Sequence, residues 1–305
     1  MKGSKATLSS LAEKCKSILV SNWQGYLNTI KSEAKSSAIH TSKVNYVIKR
    51  GKPYLWVPES ESHCWNLMVD GRGSFSIARP VPGPLVPLLK SMNKLPMRVA
   101  LTGDIVPVKE GKVESVKKYL EEIIQSEKIA ISETTYAVQS LLDSSNNTYA
   151  SRCGALKGIL DEGKENYLIY KFTPSSCMFI DPSGSTKEID MEDMERSKAD
   201  PLAVWSTKLV DGINRSEARR RALILFCLYY LNTNTRDVYM MSIDKKGFDL
   251  LGKVPCQEAE GEYQWREFRF TFKEEAHDVE AFCRQLMEME EEVVKQFTSG
   301  SGLGI

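Results

Sequence analysis

The sequence predicts an α+β protein in which a strand-rich part precedes a part with mixed helices and strands. Residues 97–105 alternate between apolar and polar side chains, which predicts a strand with one buried face. Residues 279–293 place apolar side chains three and four positions apart, which predicts an amphipathic helix. With 305 residues the chain exceeds the usual size of one domain, so we expect two, over residues 1–195 and 200–297, followed by a flexible tail over residues 298–305.

The N-terminal region is predicted to form a docking helix and then a hairpin. Apolar residues over residues 8–27 have helical spacing, so we expect the helix to run to about Thr29. Residues 44–49 and 53–57 read as two strands, and Gly51 between them suits a tight turn. A docking helix followed by a hairpin is therefore the expected start of the first domain.

The rest of the first domain is predicted to alternate between loops, helices and strands. Four prolines between residues 80 and 87 predict a loop, and residues 113–127 predict an amphipathic helix. The remaining predicted features, in chain order, are a polar break over residues 143–148, a helix over 155–160, strands over 167–172 and 177–180, a turn over 181–184 and a charged linker over 187–200.

The second domain is predicted to begin near residue 200 with a helix. That helix is expected over residues 201–231, where apolar residues recur at helical spacing. Three strands are expected next, over residues 238–243, 248–251 and 263–272, and the amphipathic C-terminal helix completes the domain.

Composition excludes several classes of function. Lys plus Arg (41) nearly balance Asp plus Glu (40), so no overall charge favours nucleic acid. No apolar run reaches the roughly 20 residues of a membrane span. The seven cysteines form no C-x-x-C pair and cannot all be paired, which suits free thiols in a reducing compartment. The phosphate-binding loop, zinc-protease and hydrolase motifs are absent, and no metal site is predicted.

Two stretches carry most of the functional information. In residues 62–78, a polar cluster around His63 and Asn66 precedes a glycine-flanked turn and an alternating strand. In residues 95–108, Gly103 lies inside a strand, which predicts a bulge or a close backbone approach by a ligand or partner. We expect these stretches to form a ligand-binding edge of the sheet.

Three motifs within these stretches resemble those of a known family. They are Ser62-His-Cys-Trp-Asn-Leu67, Asp70-Gly-Arg-Gly-Ser74 and Arg98-Val-Ala-Leu-Thr-Gly103. In kind, order and spacing they resemble the HugZ-like haem-degrading branch of the FMN-binding split-barrel superfamily, which also contains the pyridoxamine phosphate oxidases. The resemblance implies a split β-barrel followed by a small α+β domain, a homodimer with its ligand cleft between the subunits, and a chloroplast protein of the plant plastid branch.

The function implied by this resemblance is binding and oxidative degradation of haem in tetrapyrrole metabolism, with an external electron donor. Haem sites combine an apolar slot, cations near the propionates and usually an axial ligand to the iron. The candidate contacts are His63 and Trp65 for the slot, Arg79 and Arg98 for the propionates, Thr102 and Gly103 for the border of the cleft, and Asn66.

Structural roles stay open for two of these residues. His63 is more often expected at a hydrogen-bonded position that fixes the barrel edge, and Arg98 is also compatible with a surface ion pair. The family's tail histidine is absent from residues 298–305, and only Asn214 remains of its second-domain histidine motif. The axial ligand and the catalytic residues are therefore left unassigned.

Two other functions stay open at this point. An FMN-dependent oxidoreductase is less favoured, because the sequence lacks the Arg-plus-Lys signature by which related oxidases hold the flavin phosphate. A non-catalytic regulator that binds an enzyme of tetrapyrrole synthesis is the other alternative, and the loss of the family histidines favours it.

Overall fold

The computed structural model describes residues 10–32, 38–144, 152–160, 166–256 and 261–300. The helices in these ranges are α1 (Leu11–Ser21), α2 (Ser62–Val69), α3 (Leu85–Ser91), α4 (Glu110–Ser132), α5 (Tyr136–Ser144), α6 (Arg152–Leu160), α7 (Met191–Arg196), α8 (Ser206–Arg215), α9 (Glu217–Leu231) and α10 (Val279–Gly300). The strands are β1 (Gln24–Ile30), β2 (Ile39–Lys49), β3 (Lys52–Pro58), β4 (Arg72–Ala78), β5 (Arg98–Pro107), β6 (Tyr167–Ile180), β7 (Thr186–Ile189), β8 (Asp237–Asp244), β9 (Gly247–Pro255) and β10 (Tyr263–Thr271).

Strands β1 to β6 form a closed antiparallel barrel. The strand order is β3-β2-β1-β4-β5-β6-β7, and β3 also pairs with β6, which closes the ring. Closure depends on the length of β6, because its first half pairs with β3, where Tyr170 lies opposite Leu55, and its second half pairs with β7, where Cys177 lies opposite Ile189. The predicted barrel and the predicted α+β class are confirmed.

Alternate residues of the barrel strands fill its interior. Phe75, Leu101 and Phe172 are fully buried there. The ring of Tyr46 packs edge-on against Phe75, with 5.0 Å between ring centroids. Helix α1 closes one end of the barrel, where the Tyr46 hydroxyl donates a hydrogen bond of 2.7 Å to the carbonyl of Leu19.

Helices α4 and α6 cover one outer side of the barrel. Val47 of β2, Trp56 of β3 and Ile169 of β6 point outward into this layer and are buried against Leu120 and Leu156. A barrel strand that is apolar on both faces must be covered on both, so these residues explain why the helices pack here.

A second hydrophobic core surrounds the three-stranded sheet β10-β9-β8 and helices α8, α9 and α10. Phe248 and Phe270 stack at its centre, with 5.2 Å between ring centroids. Leu85 of α3 and Val138 of α5 are also buried in this core. The second core therefore includes side chains from before the predicted boundary at residue 200.

Several predicted elements are confirmed. The hairpin is β2 and β3, the alternating strands of the two information-rich stretches are β4 and β5, and the amphipathic helices are α4 and α10. The register of β5 against β6 shifts between Thr102 and Gly103, which confirms the predicted bulge. A side chain at position 103 would lie against the carbonyl oxygen of Thr173, closer than van der Waals contact allows.

Two predicted helices have the wrong extent. The N-terminal helix does not reach Thr29, because α1 ends at Ser21 and β1 then buries Leu27 and Thr29 while Asn28 faces outward. The helix predicted over residues 201–231 is two helices, since the Ser216 side chain accepts a hydrogen bond from the backbone of Arg219 and so caps a new helix.

Other predictions for loops and strands are also wrong. The linker over residues 187–200 contains β7 and α7, whose start is capped by the Asp190 carboxylate, and the strands over 167–172 and 177–180 are one strand, β6. Helices α2, α3 and α5 lie where none was predicted. Thr298 belongs to α10 rather than to a tail, whereas the polar break after residue 144 and the tail after residue 300 lie outside the described residues.

Two expectations drawn from the composition concern the cysteines and the helices. All seven cysteines are free, as predicted. Among the described residues, none of the helices combines the length and the apolar character that crossing a membrane requires.

Candidate functional site

His63 lies inside one end of the barrel, on the inner side of helix α2. Its ring is completely buried, and both ring nitrogens lie within hydrogen-bond distance of hydroxyl groups: Nδ1 is 2.8 Å from Thr29 Oγ1, and Nε2 is 3.0 Å from Ser42 Oγ. Burial, together with the charge of His40, whose ring lies at 4.5 Å between centroids, lowers the pKa of His63 to about 4. The ring is therefore neutral at physiological pH, and neither nitrogen is available to a ligand.

Asn66 continues the same hydrogen-bond network. Its Nδ2 donates to Thr29 Oγ1 over 2.9 Å, and its Oδ1 accepts from the backbone N–H of Ser32 over 2.9 Å. Asn66 thereby joins α2 to the end of β1, and the side chain is buried. This geometry agrees with a structural role for the polar cluster, which is to fix the edge of the barrel.

Trp65 points away from this cluster, on the outer side of α2. Its side chain is 65% exposed, and the neighbouring Met68 and Val69 are 69% and 72% exposed. Residues three and four positions apart share one face of a helix, so these three form a continuous apolar patch. We call Trp65, Met68 and Val69 the α2 patch.

None of the described helices covers a second outer side of the barrel. Cross-strand partners form two rows there: one runs Thr41, Asn28, Ser74, Thr102 and Ser176, and the next runs Tyr26, Ser76, Ala100 and Met178. The floor of this surface, which we call the small-residue face, consists of Ser74, Ser76, Ala78, Ala100 and Thr102.

Polar side chains along the first row bond to one another. Thr41 Oγ1 donates to Asn28 Oδ1 over 2.7 Å, and Asn28 Nδ2 donates to Ser74 Oγ over 3.0 Å. The hydroxyl groups of Thr102 and Ser176 are also in contact, beside the bulge at Gly103. Thr102 and Gly103 therefore border the small-residue face, next to each other.

Two large side chains flank the floor of this face. Tyr26 on β1 and Met178 on β6 are 51% and 42% exposed. They are three strand positions apart, roughly 14 Å at the usual spacing of about 4.8 Å between strands. Ser76 and Ala100 lie between them, and we call this strip of small side chains with its two large flanking residues the trough.

Arg98 lies at one end of the trough, opposite Ala78 and Ile180 on the neighbouring strands. Its Nε is buried and has no hydrogen-bond partner among the described residues. Leaving a buried donor unsatisfied costs about 1–3 kcal/mol, and more for a charged group. A carboxylate that reached this nitrogen would remove that cost.

Arg79 lies in a different place, a cleft of about 540 Å³ between the barrel and the small sheet. Met97 and His277 also line this cleft, which we call the charged cleft. Arg98 does not line it, although Arg79 and Arg98 are close in the sheet. The candidate residues thus separate into the buried end of the barrel, the small-residue face and the charged cleft.

Sequence reasoning did not single out Tyr26 or Met178. Tyr26 has helical spacing with Trp23, and only its alternation with buried Leu27 marks it as an outward-facing strand residue. Met178 lies in a strand that was predicted, but nothing in its neighbours indicates that its side of the strand is uncovered. Among the described residues, no group of His, Cys, Asp or Glu side chains could hold a metal ion.

Comparison with known proteins gives a fold and no close relative. No family model and no curated protein matches the sequence. The haem-binding protein from Mycobacterium smegmatis is similar in structure, with a TM-score of 0.56 and 17% identity over 95% of this chain and 100% of that one.

Two further structures are less similar. ChuZ from Campylobacter jejuni has a TM-score of 0.37 and 11% identity over 62% of this chain and 63% of that one. A FAD-binding protein from Mesorhizobium loti has a TM-score of 0.31 and 14% identity over 60% and 96%. The whole-length match to the mycobacterial protein establishes that this chain has the split-barrel fold with a small second sheet.

Proposed function

We propose that this protein binds haem on the small-residue face and that a second copy of the chain closes the site. The observation that carries the proposal is Arg98, whose buried Nε has no partner at the end of an uncovered trough. A haem propionate is a carboxylate attached to a flat apolar ring, so it matches both features. The whole-length fold match to a haem-binding protein supports the same ligand.

Each predicted residue has a place in this proposal. Arg98 would bind a propionate, Tyr26 and Met178 would flank the ring, and Thr102 and Gly103 would border it. His63, Trp65 and Asn66 act differently: His63 and Asn66 hold α2 against the barrel, and Trp65 belongs to the α2 patch. Arg79 lines the charged cleft instead of the trough.

The homodimer is proposed from exposed apolar surface. The α2 patch, Tyr26 and Met178 lie on described surface that no helix of the same chain covers. Exposed apolar patches of this kind mark interaction surfaces. A second copy placed over the trough would bury them and shield the bound ring from water.

Axial ligation would not come from a histidine of this face. His40 and His63 lie at the end of the barrel, and His277 lines the charged cleft. Tyrosine and methionine can also ligate haem iron, but Tyr26 and Met178 lie at the two sides of the trough, so the residue that would hold the iron is left unassigned. When bound, haem supplies the iron that activates dioxygen, while an external donor supplies electrons.

Oxidative degradation of the bound haem is the finer form of the proposal. It rests on the resemblance of residues 62–74 and 98–103 to the haem-degrading branch, as does a place in tetrapyrrole metabolism in the chloroplast. The contribution of the chain itself would be to bind the propionates through Arg98, orient the ring over Ser76 and Ala100, and exclude water.

FMN is a second candidate ligand, favoured by one observation. The row of hydroxyl and amide groups at Asn28, Ser74, Thr102 and Ser176 offers hydrogen bonds to the polar edge of a flavin. Protein that purifies with a bound yellow chromophore would support the flavin.

A regulator that binds a tetrapyrrole-synthesis enzyme is a third candidate function, and the exposed α2 patch favours it.

Titration with haemin tests the proposal directly. We expect a saturable Soret band with the wild-type chain and binding about 10- to 100-fold weaker in Arg98→Ala, because a charge-assisted hydrogen bond contributes about 1.5–3 kcal/mol. Arg196→Ala is the matched control, since Arg196 is 76% exposed on α7 and lies away from the trough. Equal affinity in Arg98→Ala, or no saturable band, would contradict the proposal.

Turnover is tested on the same complex. Ascorbate added under air should cause the Soret band of the wild-type complex to decay if the protein degrades haem. A stable band would instead identify a haem-binding protein without this activity and would favour the regulatory reading.

A further inference from the structure

The charged cleft lies between the two cores and is formed by both. Helix α1 and the end of β4 supply one wall, and the β8–β9 hairpin supplies the other. Ser17 Oγ accepts a hydrogen bond of 2.9 Å from the backbone N–H of Asp200, which ties α1 to the start of the second core. A volume of about 540 Å³ falls within the range of about 300–1,000 Å³ that small-molecule sites occupy.

Acidic residues of the cleft are engaged by the protein itself. The Asp200 carboxylate accepts the backbone N–H groups of Lys245, at 2.9 Å, and Leu202, at 2.8 Å. Asp244 accepts from Arg269 over 2.6 Å, and Asp249 is paired with the same guanidinium and with Ser242. These carboxylates stabilise the wall of the cleft that the second core and its small sheet form.

Three cations of the cleft have no such partner. Lys14 of α1, Arg79 after β4 and Lys198 before the second core all line the cleft, and none forms an ion pair with another residue in the described part of the chain. Burial lowers the pKa of the Arg79 guanidinium, and the negative charges of Asp249 and Asp244 oppose that shift. Arginine stays charged under such conditions, so a half-buried positive charge lines the cleft.

The cleft also has an apolar wall. Ile18, Met97 and Ile243 line it beside the three cations. A small inorganic ion would leave this wall in contact with water, whereas an organic molecule with an apolar part would cover it. The cleft therefore offers a cationic end and an apolar end to one ligand.

We infer that the charged cleft is a ligand site, separate from the small-residue face, that binds a small organic dianion with an apolar body. Arg79 would bind the anionic group through two parallel hydrogen bonds, as guanidinium groups bind phosphates and carboxylates. Lys14 and Lys198 would neutralise its second charge. A phosphate monoester and a dicarboxylate share this chemistry, and the experiment below distinguishes them.

Isothermal titration calorimetry of the full chain tests this inference with three probes. Phenyl phosphate and benzylmalonate carry the same apolar ring on a phosphate and on a dicarboxylate, and inorganic phosphate carries none. We expect saturable binding of one of the two organic anions and at least tenfold weaker binding of inorganic phosphate. Whichever organic anion binds more tightly identifies the class of ligand.

Variants locate the binding within the cleft. Arg79→Gln should weaken binding of the preferred anion at least tenfold, and Lys198→Gln should weaken it several-fold. Arg196→Gln, an exposed arginine on α7, should leave it unchanged. If Arg79→Gln does not fold, as judged by circular dichroism, Arg79→Lys and Lys198→Gln take its place, and both should weaken binding.

Three outcomes would overturn the inference. The first is that neither organic anion shows saturable binding up to about 10 mM, a concentration at which any millimolar site would be detected. The second is that inorganic phosphate binds as tightly as the organic anions. The third is that the folded cleft variants bind the preferred anion with wild-type affinity. Arg98→Ala should leave anion binding intact. Failure of haem binding and failure of this site are therefore separate results.

Discussion

The barrel has two outer sides, and the chain treats them in opposite ways. On one side, Val47, Trp56 and Ile169 are buried under α4 and α6. On the other, the floor is made of serine, threonine and alanine, and the large side chains of Tyr26 and Met178 flank it. A single strand serves both sides, because β6 contributes Ile169 to the covered side and Met178 to the uncovered one.

The difference shows how one sheet can be both support and site. Helices of the same chain remove the large apolar side chains of the covered side from water, so the free energy of burying them stabilises the folded monomer. The small side chains of the other face give little burial to the monomer and leave space for a flat ligand. Arg98, whose buried Nε lacks a partner, is on the face that folding leaves open.

The largest expected effect is on the covered side. Trp56→Ala should lower the free energy of unfolding by about 3–5 kcal/mol, because it removes a large buried ring and leaves a cavity. Its matched variant on the other side, Met178→Ala, should cost about 1 kcal/mol or less, since that side chain is 42% exposed. Urea unfolding of both variants measures the two values.

Equal losses in the two variants would break the comparison. A loss of several kcal/mol in Met178→Ala at low protein concentration would mean that the small-residue face is covered in the monomer. A loss that appears only at high concentration would mean that a second copy covers it, because association then adds to the stability.

The next largest expected effect is on the pH dependence of stability, and it arises at the buried end of the barrel. The pKa of His63 is lowered to about 4 in the folded chain, whereas an unfolded histidine titrates near its ordinary value of about 6.5. As pH falls below about 6.5, the His63 ring takes up a proton in the unfolded chain, whereas it stays neutral in the folded chain until the pH approaches 4. Stability should therefore be constant above that pH and fall by up to about 3 kcal/mol between pH 6.5 and 4.

His63→Gln separates this effect from other titrations. The variant keeps a hydrogen-bonding side chain at the position but cannot bind the proton, so its unfolding free energy should vary less over the same pH interval. Haem should not alter the His63 titration, because both ring nitrogens are engaged inside the barrel. A ligand-dependent shift in the His63 ring signals by NMR would place His63 in the site after all.

Much of the barrel could be predicted from the sequence, because alternation is a direct signal of a strand. β4 and β5 show it clearly, and Gly103 marks the bulge where β5 pairs with β6. β1 was missed because Trp23, Tyr26 and Leu27 also fit helical spacing. Local spacing cannot decide between these structures when the pairing partners, Lys43 and Ser76 opposite Tyr26, are distant in sequence.

The candidate site was less predictable, since it depends on what covers each surface. Alternation puts Arg98 on the opposite side from Val99, but only the positions of α4 and α6 reveal that the Arg98 side stays uncovered. Likewise, His63 and Trp65 are two residues apart, and the sequence cannot show that α2 turns one inward and the other outward. The candidate site residues chosen from the sequence therefore lie in three separate places in the fold.

The smallest expected effect on stability tests the uncovered side alone. Ala100→Arg places a long charged side chain on the floor of the trough, where it can extend into solvent, so the unfolding free energy should change by about 0.5 kcal/mol or less. Haemin affinity should nevertheless fall at least tenfold, about 1.4 kcal/mol, because the side chain occupies the space of the ring. Sedimentation should also show a weaker dimer, since a second copy would meet a buried charge. Ala100→Ser, which adds one small hydroxyl, is the control and should retain both properties. Unchanged haemin binding in a folded Ala100→Arg chain would place the haem away from this face, and the comparison between the two sides would then describe stability only.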